Sequence, residues 1–118
     1  MDTAGGCGEN EWEMRLPEPE RSRAILIGSA AYCDSALPDI PAAANNVDDL
    51  AEVLTDRDIG GFLPEHLHTF VDPAHDQLRR EIARRCRDAD DVLLVYFAGH
   101  GLIDSDGELL LATSDTGT

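Results

Sequence analysis

The order of apolar segments predicts an α/β domain with a mainly parallel sheet. Three observations carry this. Short aliphatic runs occur at residues 23–28 (RAILIG), 66–71 (HLHTFV) and 92–98 (VLLVYFA). Stretches with helical spacing separate them, and connections of that length join parallel rather than antiparallel strands. A further run, ELLLAT at residues 108–113, completes the order β-α-β-α-β-β.

Taken in order, residues 1–20 read as an acidic leader. They hold six acidic residues, one Arg, three Gly and two Pro, too little apolar surface to pack, with Trp12 as a lone anchor. LPEP marks the edge of the fold, because a residue before Pro is pushed out of the helical region. The domain is expected to run over residues 21–118. In RAILIG, Ala24 to Ile27 have no polar interruption, the pattern of a strand covered on both faces. After a loop, Val47, Leu50, Ala51 and Leu54 fall on one helical stripe, with Asp48, Asp49 and Glu52 opposite. The helix is expected to start near Asp39 or Pro41 and to end at the DIGG after residue 57. HLHTFV is the second strand. Asp72 is placed as N-cap of a second helix, with Pro73 in its first turn. Leu78, Ile82, Cys86 and Ala89 form that helix's apolar face, and arginines 79, 80, 84, 85 and 87 its solvent side. The third strand, the most apolar, is expected at the centre of the sheet, followed by GHG, a Ser-Asp-Gly turn and the fourth run. No internal repeat is evident.

Composition narrows the function classes. A formal charge of −15, from 24 acidic residues against nine basic ones that are all Arg, repels phosphate backbones and anionic lipid. Nucleic acid and membrane surfaces are therefore not expected partners, whereas basic peptides are compatible. Three cysteines (Cys7, Cys33, Cys86) without C-x-x-C spacing, and no signal peptide, point to a reducing cytoplasm. No cofactor motif stands out: IGSAAY has one Gly where a dinucleotide loop needs three. His66 and His68 lack a third metal ligand, and DSDGE lacks the rest of a calcium loop and reads as a turn.

The feature that carries chemistry is the end of the third strand. His100 follows the strand between Gly99 and Gly101, at the edge where open parallel sheets collect functional groups. An imidazole there can move protons near neutral pH. The N–H of Gly101, with no side chain beside it, can donate to a developing oxyanion. The alternative is a strand-ending turn that happens to hold a histidine.

These residues resemble a known family. LLVYFAGHG resembles the histidine motif of the caspase-like cysteine peptidases, particularly the metacaspase and prokaryotic branches. RAILIGSAAY resembles their first strand, LPDIPAAANNVDDLAEVL their first helix, and GELLLATSDT the strand after the histidine loop. The likeness covers residues 21–118 and is strongest to caspase-like domains of actinobacterial multidomain proteins, which implies a role in defence or cell-death signalling. It implies a three-layer αβα fold, incomplete here at its C-terminus, and a cysteine-type endopeptidase acting on peptide or protein substrates without a cofactor. His100 matches the catalytic histidine and Gly101 the glycine of the oxyanion hole. The nucleophilic cysteine of the family lies about 50 residues beyond the histidine. It is expected from a downstream segment or a partner chain, and the 118 residues alone are expected to be inactive. Cys33, in the loop at the same edge, is a weaker candidate. A catalytically inactive binding or signalling module on the same fold is the alternative. Caspases cleave after Asp and metacaspases after Arg or Lys; the acidic charge leans toward the latter without deciding it.

Overall fold

The computed structural model describes residues 18–116. Most of the expected leader, with Trp12 and Cys7, lies outside the described residues. Residues 18–20, read with that leader, belong to the fold. Pro19–Arg21 form a 3-10 turn, the Glu18 N–H donates to Asp91 Oδ2 at 2.7 Å, and Arg21 pairs with Asp90 at 3.0 Å. The strands are β1 (Arg23–Gly28), β2 (Leu67–Val71), β3 (Leu93–Ala98), β4 (Gly101–Ile103) and β5 (Leu109–Leu111); the helices are α1 (Ala42–Thr55) and α2 (His75–Asp88).

The main sheet has the order β2-β1-β3, all parallel. β1, not β3 as expected, is therefore the middle strand. The apolar content of β3 is higher, but β1 is the strand sandwiched on both faces, with Ala24, Ile25, Leu26 and Ile27 fully buried. β3 pairs only with β1 among the described residues, and Val95 is exposed. The chain crosses from β1 to β2 and then back past β1 to β3. Right-handed crossovers in opposite directions put the two helices on opposite faces, and the contacts agree. A Cβ on Gly28 would sit 2.8 Å from Ala43 O and 2.9 Å from Val47 Cγ2, so the even-numbered face of β1 receives α1. Ile25 and Ile27 cluster with Leu78 of α2, joined by Phe70, Ile82, Leu93 and Phe97. The result is three layers, α1, sheet and α2, as the resemblance implied. Burying three full-sized aliphatic residues of β1 stabilises the fold by about 1.5–3 kcal/mol each.

Several local expectations need correction. α1 starts after Pro41, as one of the two readings held; Asp39 makes no cap and instead accepts the Tyr32 N–H at 3.1 Å. His66 sits in a 3-10 turn, and the second strand begins one residue later. Asp72 is not the N-cap of α2. Its backbone lies in the left-handed region, φ 55°, and its carboxylate is taken by the N–H groups of Ala30 and Ala31. Ala74 holds the cap position, and the first helical N–H, that of His75, donates instead to Asp115 Oδ1 at 3.0 Å.

Cys86 is exposed, not on the apolar face. Each four-residue step along a helix advances roughly 40° beyond a full turn, so two steps carry Cys86 well away from Leu78. Arg85, placed on the solvent side, lies beside that face instead, 13% exposed, and pairs with Glu81 at 3.0 Å.

The fourth apolar run does not extend the main sheet. It forms β5, which pairs antiparallel with β4, a short strand not anticipated. The DSDGE turn joins them as expected: Asp104 Oδ1 accepts the N–H groups of Asp106 and Glu108, and Gly107 takes φ +83°.

Candidate active site

β1 and β3 are parallel neighbours, so the loops that follow them emerge side by side at the carboxyl edge of the sheet, where open α/β sheets collect functional groups. His100 lies in the loop after β3, and Tyr32 and Pro38 of the loop after β1 meet it there. The imidazole is half-buried. Its Nε2 lies 2.7 Å from the carbonyl oxygen of Pro38. A carbonyl can only accept, so Nε2 carries the hydrogen and donates. In the neutral ring this leaves the lone pair on Nδ1, which defines the nitrogen able to take a proton.

The backbone is held as firmly as the ring. The His100 N–H donates to the Tyr32 hydroxyl at 2.9 Å, and that hydroxyl donates to the carbonyl of Ser29 at 2.9 Å. The two rings meet at 4.9 Å between centroids, tilted by 57°. This contact explains Gly99: a Cβ there would lie 2.7 Å from the Tyr32 oxygen and 2.8 Å from the Phe97 ring. The glycine is needed for close approach, not for an unusual φ, since neither Gly99 nor Gly101 is among the residues with positive φ.

Gly101 opens β4. Bonds at Ala112 N–H to His100 O and Asp104 N–H to Glu108 O fix the hairpin's alternation. Gly101 and Leu111 then form a non-hydrogen-bonded pair, so the Gly101 N–H points away from β5. An imidazole and a backbone N–H directed away from β5 thus occupy neighbouring residues of one loop.

None of the other candidates is hydrogen-bonded to His100 among the described residues. Cys33 is exposed, its N–H bonds Ser114 O at 3.0 Å, and no hydrogen bond or ring contact joins its side chain to His100. His66 Nδ1 accepts from Arg23 at 3.1 Å. Burial pushes the His68 imidazole below its ordinary value, and the Arg85 charge adds to this. Among the described residues no group of three or more His, Cys, Asp or Glu could hold a metal ion. Tyr32 and Pro38 were missed in the sequence. A tyrosine in the loop facing GHG offered a faint signal. Pro38 contributes only a carbonyl, which every residue has.

A parallel α/β domain that presents a backbone-gripped imidazole at its carboxyl edge belongs to a broad class of scaffolds. The family model described as the caspase domain, peptidase C14, matches residues 21–116. The chain therefore belongs to the caspase-domain family of peptidases. Neither the curated proteins nor the solved structures gave a match. Among the described residues no helix is long and apolar enough to cross a membrane.

Proposed function

We propose that this chain is the histidine-bearing portion of a caspase-like cysteine endopeptidase. His100 is its general base and Gly101 an oxyanion donor. The observation that carries the reading is the 2.7 Å bond from Nε2 to Pro38 O, which leaves Nδ1 as the proton acceptor. Nδ1 takes the proton of a cysteine thiol, the thiolate attacks the scissile carbonyl, and the same nitrogen returns the proton to the leaving amine. The Gly101 N–H stabilises the negative oxygen that develops on the attacked carbonyl. The thiol is expected from a segment beyond residue 118 or from a partner chain, because the nucleophile of the resembled family lies about 50 residues after its histidine. The substrate is a peptide chain. Phosphate backbones and anionic membranes are disfavoured by the charge of −15, and the cytoplasm suits unpaired thiols.

The test supplies the cysteine-bearing segment and compares peptide cleavage before and after His100→Ala. A loss of about 10²–10⁴-fold is expected. Equal rates overturn the assignment and favour a binding module built on the same fold.

A further inference from the structure

We propose that Tyr32 and Asp72 are positioning residues for His100, a two-step clamp that fixes the imidazole from the neighbouring strands. This rests on His100 being the base of the proposed reaction.

The loop after β1 grips the histidine twice. The Tyr32 hydroxyl receives its backbone N–H, and the Pro38 carbonyl receives its ring N–H. Tyr32 spends its own hydrogen on Ser29 O, three residues back, so the hydroxyl cannot rotate without breaking a bond. The grip is only as firm as the root of the loop, and Asp72 holds that root. Its Oδ1 accepts the N–H groups of both Ala30 and Ala31, at 2.8 and 2.9 Å, and its own N–H donates to Gly28 O at 2.8 Å. A carboxylate accepting two adjacent backbone donors is a strong, directional anchor. Asp72 keeps it at a backbone angle, φ 55°, that costs a non-glycine residue free energy. The side-chain bonds it permits run to the stretch that carries Tyr32. The path is continuous: Asp72 to the amides of 30 and 31, on to Tyr32, and across to His100.

Nuclear magnetic resonance of the whole chain, labelled with nitrogen-15, tests this without any cysteine. In the unmodified chain, the Tyr32 hydroxyl proton should exchange slowly and lie close to the His100 amide, and the ring should be the Nε2–H tautomer. Absence of that hydroxyl contact overturns the proposal, whether or not any variant folds. Tyr32→Phe should speed exchange of the His100 amide about tenfold or more relative to the β1 amides and mix the ring tautomers. An unchanged amide and an unchanged ring overturn the role of Tyr32. Asp72→Gly should act in the same direction with smaller size. Asp72→Asn, which keeps an acceptor oxygen and tolerates positive φ, should remain native. Equal disruption by Asp72→Asn and Asp72→Gly overturns the role of Asp72 as acceptor. If the clamp holds while His100→Ala leaves cleavage unchanged, only the peptidase reading fails.

Discussion

β1 and β5 are both runs of aliphatic residues at the heart of their sequence segments, yet they meet opposite fates. Ala24 to Ile27 are 0–1% exposed, whereas Leu109, Leu110 and Leu111 are 48–64% exposed. The difference is not hydrophobicity but layering. β1 has a strand on each side and a helix on each face; among the described residues β5 pairs with one short strand, β4. An apolar run states what a segment gains by being covered. The neighbours decide whether it is. In this molecule the stable layers carry the fold, and the thinly supported hairpin carries the residues placed in the site.

That contrast can be broken or sharpened by substitution. The largest effect is expected at Leu26→Ala, which removes buried volume between helix and sheet and should cost about 2–5 kcal/mol in denaturant unfolding. A loss below 1 kcal/mol would mean that β1 is not the keystone of the layers. Gly99→Ala should follow, at about 1–3 kcal/mol, because its Cβ must displace the Tyr32 oxygen. The histidine loop should loosen with it, visible as lost protection of the His100 amide. Asp115→Ala should destabilise less than Gly99→Ala, by uncapping α2, with faster exchange at the His75 amide. Leu110→Ser should change stability by no more than about 0.5 kcal/mol, since the side chain is already half in water. A large loss there would show that β5 is covered by something outside the described residues.

Acid should act on two groups in different windows. The folded His68 imidazole is held below its ordinary value of 6.5, first by burial. The unfolded chain therefore binds its proton first, and stability falls as pH drops below about 6.5, levelling once the folded ring titrates. Unfolding midpoints measured from pH 8 to 5 should show this slope, and His68→Gln should flatten it. The Asp115 carboxylate is held below its ordinary value by the Thr113 hydroxyl and then by the His75 N–H. Its contribution is complete above the ordinary carboxylate range and is lost only in stronger acid, as pH falls through the folded value.

Much of the architecture was legible because it depends on periodicity. The uninterrupted run in β1 and the stripe at Val47, Leu50, Ala51 and Leu54 each give a burial pattern that one face or two can satisfy. His100 was legible because a glycine pair frames it, although the reason for Gly99 is steric and lay elsewhere, in Tyr32. What could not be read depends on partners remote in sequence. Asp72 looks like a helix cap from its neighbours alone, and its true partners lie more than forty residues earlier. The α2 cap comes from Asp115, forty residues later. Pro38 acts through a main-chain oxygen. Arg85 and Cys86 were exchanged between faces because a stripe followed in steps of four drifts around the helix.

The stretch after β5 is stitched into both neighbouring loops. Ser114 accepts the Cys33 amide and donates its hydroxyl toward Asp72 and Pro73, while Asp115 holds the start of α2. The hairpin bearing Gly101 is thus tethered at both feet, by Tyr32 at one and by these bonds at the other. A protease that nicked its exposed Ser105–Asp106 tip would sever the covalent thread yet leave both ends docked, so the machinery around the imidazole need not depend on an unbroken polypeptide there.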